Sequence, residues 1–163
     1  MVVSEQAPSG VEELFETLNS YLPADRVAGI REVYEFAYAC HDGQLRASGQ
    51  PYIVHPVAVA HLVAELHMDV ATVRAALLHD VIEDCGIKPE EIARRFSPDV
   101  AKLVEGATKI EQIPTTSGLA SNVDAETLRK MFVAMAEDVR VVIIKIADRL
   151  HNMRTLEWLG ADR

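Results

Sequence analysis

Residues 70–84 read VATVRAALLHDVIED. Val73, Ala76 and Leu77 give the run the apolar spacing of a core helix. It ends on four ionisable groups, His79, Asp80, Glu83 and Asp84, set around Val81 and Ile82. Bringing such groups into apolar surroundings is costly unless something compensates them. On one continuous helix, positions three and four apart share a face, so His79 is expected over Glu83, and Asp80 over Glu83 and Asp84. A divalent cation would supply the compensation. Imidazole nitrogen with carboxylate oxygen suits a first-row ion such as Mn, Fe or Zn, and the lack of thiolates argues against a structural zinc. A solvated face would not interleave Val81 and Ile82 so tightly, although an amphipathic helix end would give the same letters.

Outward from this run the periodicity stays helical, and no alternating strand pattern of useful length appears. Residues 1–10 read as a loose terminus and Val11 to Tyr21 as a short helix. Asp25 is expected to cap a longer helix through Ala39, with Val27, Ile30, Val33, Tyr34, Ala37 and Tyr38 on one face. Gly43 stands where a helix end takes a left-handed residue, which places His41 and Asp42 in a frayed last turn. QLRASGQPYIVHP (44–56) is a loop by its Ser-Gly and Gln-Pro punctuation. His55, before a proline, is expected to be extended, with Pro56 in the first turn of a helix to about His67. Asp69 then caps a helix through Asp84.

Pro89 opens a short helix to Phe96, and Asp99 one to about Lys109. The stretch 111–126 is polar and rich in Gly, Pro, Ser and Thr, so 111–123 is expected to be mobile and to exchange its amides fast. Helices from about Ala125 to Glu137 and from about Val139 to Met153 complete the chain. The last carries a stripe of Val139, Val142, Ile143, Ile146, Leu150 and Met153. Lys145, Asp148, Arg149 and Asn152 accompany it, and Asp148 and Asn152 are spaced i, i+4. The expectation is an all-α bundle of seven or eight helices, with no repeat and no second domain.

The totals narrow the function classes. At 163 residues the chain fits one domain, and 49% hydrophobic with 25% charged residues is ordinary for a globular fold. Sixteen bases against 25 acids give a net charge of −9. A nucleic-acid binder usually shows a basic balance or stripe, so direct nucleic-acid binding is not expected. A phosphorylated ligand would need a bound cation and a few placed bases for local positive potential. Apolar runs such as 141–144 are far too short to cross a bilayer, and no export leader opens the chain. Cys40 and Cys85 lack CxxC spacing, which suits a reducing cytoplasm and small half-buried thiols.

Asp148 could close a metal site begun at His79 and Asp80, and His55, held stiffly before Pro56, could give a fourth ligand. His41, His61 and His67 are assigned no role. Pattern alone reaches a His/Asp metal site in a helical bundle and stops there.

Three motifs go further. HDxxED at 79–84, RxSGxPYxxHP at 46–56 and KxADRxHNMRTL at 145–156 stand in order, and LRKMFVAM (128–135) fits with them. Together they resemble the hydrolase domain of the RelA/SpoT family, whose members make and degrade the alarmones ppGpp and pppGpp. The likeness runs from about residue 25 to Trp158. It implies an all-α HD-domain helical bundle over 25–163, preceded by an extension with a short helix at 1–24. It also implies Mn²⁺ as cofactor, held by His55, His79, Asp80 and Asp148, with Glu83 and Asp84 handling the water and its proton. Arg46 would pack on the guanine, Asn152 and Thr155 would line the nucleoside pocket, and Lys145 and Arg154 would be nearby bases, each equally able to serve as an ion-pair partner.

The activity so implied is hydrolysis of the 3′-diphosphate of (p)ppGpp to GDP or GTP and pyrophosphate, in the cytoplasm, as part of the stringent response. A catalytically silent regulatory domain of a (p)ppGpp synthetase is the alternative. Another HD-type nucleotide phosphohydrolase is weaker, because RASGQPY matches the guanine loop. Ala47 departs from a common second base, Gln50 from a Glu and Cys85 from a Thr. Relatives continue beyond the last motif with further helices, and long ones with a synthetase domain, so this chain is expected to be truncated at its C-terminal end with that domain in cis in the parent protein.

Overall fold

The computed structural model describes residues 9–111, 129, 133 and 137–155. The expected loop at 111–123 and helix at 125–137 fall almost wholly outside the described residues. Among the described residues there are eight helices: α1 (Val11–Asn19), α2 (Ala24–Cys40), α3 (Val54–Glu65), α4 (Val70–Leu77), α5 (Val81–Cys85), α6 (Pro89–Arg95), α7 (Pro98–Glu111) and α8 (Val139–Arg154). The order follows the helical periodicity, and the fold is all-α.

One apolar core joins all eight. α3 lies at its centre, packed on α1, α4 and α8, while α4 also meets α2 and α7. α1, which the sequence places ahead of the domain, buries Val11, Leu14, Phe15 and Leu18 in that same core. α7 and α8 approach closely because Gly106 carries no side chain. A Cβ there would stand 2.9 Å from Val141.

Several helix ends differ from expectation, each for a physical reason. Pro23, not Asp25, precedes the first turn of α2, and Asp25 sits inside that turn. His55 is helical rather than extended, since α3 already begins at Val54. A proline in the first turn loses no hydrogen bond, because those amides have no partner within the helix. α3 stops at Glu65 in a left-handed turn, with His67 at φ 52° and Met68 N–H donating to the Val63 carbonyl at 3.4 Å. Stacking on Tyr21, with ring centroids 4.6 Å apart, holds His67 in this conformation, uncommon outside glycine.

The segment 69–84 is not one helix. α4 ends at Leu77, a turn occupies 78–80, and α5 begins at Val81. In a continuous helix the Ala76 carbonyl would accept the Asp80 amide; here it accepts the imidazole Nδ1–H of His79 at 2.8 Å. The side chain takes the carbonyl and the helix breaks. Adjacent side chains on a helix diverge by about 100°, and the break turns His79 and Asp80 towards one point.

α8 buries a different face from the one its apolar stripe suggests. Val141, Val142, Ile144, Lys145, Ala147 and Asp148 are buried. Of the stripe, Val139, Ile146, Leu150 and Met153 are exposed, up to 66% at Met153. Lys145 and Asp148 enter the interior as a pair, with Nζ 2.9 Å from Oδ2.

A single guanidinium ties three helix starts together. Arg140 donates to Asp138, which caps α8, to Asp99 in the first turn of α7, and to Asp69 ahead of α4, at 2.7, 2.9 and 3.1 Å. The hydrogen bonds from Arg140 hold the Asp138 carboxyl below its ordinary 3.8, against partial desolvation. A carboxyl depressed in the folded state stabilises fully above its unfolded value and loses that contribution as pH falls through the folded one. The groups are partly exposed, so Arg140→Ala is expected to cost about 1 kcal/mol near neutrality and lower Tm by about 3 °C. The gap to wild type should narrow as pH falls from about 5 to about 3. Paired thermal melts across that range check it, and a gap that widens on acidification would remove Asp138 from the account.

Candidate active site

Each element delivers one part of the site. The loop before α3 is a three-residue hairpin turn. Gly49 N–H donates to the Arg46 carbonyl at 2.8 Å, and Arg46 N–H to the Gln50 carbonyl at 2.9 Å. Gly49 takes φ 82°, the left-handed residue that such a turn requires. The turn sets Arg46 at the mouth of the first turn of α3, which carries His55. The broken α4–α5 segment carries His79 and Asp80, and the buried face of α8 carries Asp148.

Four side chains converge. His55 Nε2 lies 3.3 Å from His79 Nε2, 3.1 Å from Asp148 Oδ1 and 3.7 Å from Asp80 Oδ2. His79 Nε2 lies 3.1 Å from Asp80 Oδ2 and 3.7 Å from Asp148 Oδ1. All four residues are buried. Donors around a first-row cation at about 2.1 Å sit about 3.0–3.4 Å from their nearest neighbours, so this spacing fits one. Among the described residues, His55, His79 and Asp80 form a group able to hold a metal ion, and Asp148 adjoins both imidazoles.

The donor set also has the right charge. His79 donates through Nδ1 to a backbone carbonyl, which leaves Nε2 as the atom facing the other donors. Burial alone would lower the His79 imidazole, but Asp80 and Asp148 push it up to about 10. Burial would raise both carboxyls, yet His79 holds Asp80, and His55 with His79 hold Asp148, well below the usual carboxylate range. Electrostatics that favour a buried proton here equally favour a cation.

Around these donors stands a ring of bracing contacts. Tyr52 donates its hydroxyl to Asp80 Oδ2 at 2.8 Å, and burial with the Asp80 and Asp84 carboxylates pushes its phenol far up. His41, which the sequence leaves in a frayed turn, is 3% exposed and stacks on Tyr52 at 4.7 Å. Asn152 donates to Asp148 Oδ1 and accepts from Arg46 Nη2, both at 2.8 Å. His55 Nδ1 meets His151 Nδ1 at 2.7 Å. Burial and the neighbouring His55 pull the His151 imidazole down to about 4.

A cavity of about 380 Å³ opens onto the cluster. Arg46, Asn152 and Thr155 line it beside His55, Asp80 and Asp148. Ala47 lines it as well, so the missing second base falls in the cavity wall. The other expected residues stand elsewhere. Lys145 is buried on Asp148, Arg154 is exposed and off the cavity lining, and Glu83 and Asp84 are exposed on α5, Asp84 within reach of Tyr52. Sequence reasoning misses Tyr52 and His151. For His151 a signal existed, since it lies i+3 from Asp148 on one helix.

Residues 33–163 match the family model described as HD domain. The chain belongs to the HD-domain family. This HD domain is 47% identical over 154 residues to the bifunctional (p)ppGpp synthase/hydrolase SpoT of Escherichia coli K12, covering 92% of this chain and 22% of that protein. It is 43% identical to the guanosine-3′,5′-bis(diphosphate) 3′-pyrophosphohydrolase of Vibrio cholerae, covering 93% and 21%. To the GTP pyrophosphokinase rsh of Brucella ovis it is 46% identical, covering 93% and 20%. The chain thus spans about a fifth of the length of these curated relatives. A solved metazoan orthologue of SpoT, which hydrolyses ppGpp and plays a role in starvation responses, superposes with a TM-score of 0.65. It is 29% identical, over 83% of this chain and 72% of its own.

Proposed function

We propose that this HD domain hydrolyses the 3′-diphosphate of ppGpp and pppGpp, with Mn²⁺ as its cation, in the cytoplasm and as part of the stringent response. The observation that carries the proposal is the convergence of His55, His79, Asp80 and Asp148, with His55, Asp80 and Asp148 lining the same cavity as Arg46, Asn152 and Thr155. The names of the relatives support the substrate, and their greater length supports a synthetase domain in cis in the parent protein. Among the described residues no helix is long and apolar enough to cross a membrane.

When bound, a divalent cation supplies Lewis acidity, offsetting charge on phosphoryl oxygens and acidifying a neighbouring water. His55, His79, Asp80 and Asp148 would hold it. Arg46 packs on the guanine, while Asn152 and Thr155 orient the nucleoside so that its 3′-diphosphate faces the four donors. Glu83 and Asp84 take the proton of the attacking water and return one to the leaving group. The new bond joins water oxygen to phosphorus, the bond from that phosphorus to ribose O3′ breaks, and O3′ receives the proton. Pyrophosphate leaves with GDP or GTP.

Chromatographic product analysis of ppGpp incubated with the protein and Mn²⁺ is the test. GDP plus pyrophosphate is expected. No turnover would favour a silent regulatory domain, and release of other fragments a different nucleotide phosphohydrolase.

Arg46 gives a second measurement. Stacking on a base acts in the ground and transition states alike, so Arg46→Ala should raise KM for ppGpp more than it lowers kcat. Because Arg46 also holds Asn152, and Asn152 holds Asp148, a small kcat loss is expected with it. A pure kcat effect would place Arg46 in the chemistry instead.

A further inference from the structure

We infer that His151 is a positioning residue for the cation site, accepting a hydrogen bond that fixes the ring orientation and tautomer of His55. The inference rests on the proposal that His55 ligates a divalent cation. The two Nδ1 atoms are 2.7 Å apart, and the rings lie at 31° with centroids 5.0 Å apart. One proton must stand between two nitrogens at that distance. His55 Nε2 faces Asp148, His79 and Asp80, so for this atom to ligate, the His55 proton must sit on Nδ1. His151 Nδ1 is then the acceptor, and the His151 proton is on Nε2.

The contrast with His79 shows why this matters. His79 is oriented by the Ala76 carbonyl three residues back, an acceptor that no side-chain substitution removes. His55 Nδ1 instead meets a side chain from another helix, in the last turn of α8. That turn therefore sets both the position of Asp148 and the direction of His55. Outer partners of ligating imidazoles typically carry about 10–100-fold in metal affinity.

Two measurements test this on the whole chain. In the metal-stripped protein, Mn²⁺ binding is titrated by the electron paramagnetic resonance of the free ion, for wild type, His151→Phe and His151→Asn. Phe keeps a ring and loses the acceptor, whereas Asn offers an amide oxygen close to where Nδ1 stood. His151→Phe is expected to weaken Mn²⁺ binding about 10–100-fold, and His151→Asn to recover most of the loss. Long-range ¹H–¹⁵N correlation of the wild-type imidazoles, with diamagnetic Zn²⁺ in place of Mn²⁺, needs no variant, and should show His55 protonated on Nδ1 and His151 on Nε2. An unchanged Mn²⁺ affinity in His151→Phe, with only KM for ppGpp raised, would make His151 a wall of the nucleotide cavity and overturn the inference. So would a proton on His151 Nδ1. A wild-type protein that takes up no Mn²⁺ would overturn the cation proposal along with it.

Discussion

Asp80→Ala is expected to lose Mn²⁺ and turnover together. The carboxylate lies 3.1 Å from His79 Nε2 and 3.7 Å from His55 Nε2, so it stands against two of the other donors at once. Its removal should weaken Mn²⁺ binding by more than about 100-fold, beyond the effect of losing an outer partner. Turnover of ppGpp should fall below detection at Mn²⁺ concentrations that saturate the wild type. The substitution also strands the Tyr52 hydroxyl and takes a countercharge from buried His79, which is destabilising in itself. Asp80→Asn, which keeps the shape and a partner for Tyr52, separates the two effects. Metal analysis beside a thermal melt on each variant decides, and a folded Asp80→Ala protein with unchanged Mn²⁺ content would remove Asp80 from the site.

Glu83→Gln should separate holding the cation from moving the proton. Glu83 is exposed on α5, outside the cavity lining and outside the group of four donors, so the proposal gives it the water and not the cation. The amide keeps the size of the side chain and cannot take a proton as a carboxylate does. Mn²⁺ and ppGpp binding should persist while single-turnover hydrolysis slows by roughly 100-fold or more, the usual scale of general acid-base help. The structure also names the rival. Asp84 reaches Tyr52, which holds Asp80. Near-normal turnover in Glu83→Gln with a collapse in Asp84→Asn would move the proton to Asp84, and loss of Mn²⁺ in Glu83→Gln would make Glu83 structural.

The helices were legible because apolar spacing repeats, and helix existence needs little more than that. Their ends and buried faces were less so. Spacing places His79 and Asp80 on one helix because nothing in the letters says that an imidazole will take the Ala76 carbonyl and end it. Spacing also chooses the wrong face of α8. The six-residue stripe is more apolar than the face actually buried, but Lys145 and Asp148 neutralise each other and go inside. The four converging residues could be named from motifs, since imidazole and carboxylate are the common nitrogen and oxygen donors for a first-row ion. Tyr52 and His41 could not, because bracing contacts depend on where elements meet and not on residue type, and for His151 the only signal is its i+3 spacing from Asp148. Asn152 was legible as pocket lining, whereas its bond to Asp148 appears only once α8 and the hairpin turn stand side by side.

The interruption at 78–80 bears on anyone who would transplant this centre into another scaffold. Six letters copied onto an ideal, uninterrupted helix would start the imidazole and its adjoining carboxylate about 100° apart and would lose the corner that turns them together. The portable unit is larger: Ala76 with its carbonyl given to the imidazole, the three-residue corner, and only then the acidic turn. A designer must graft a defect, and a sequence search for straight amphipathic helices would pass it by.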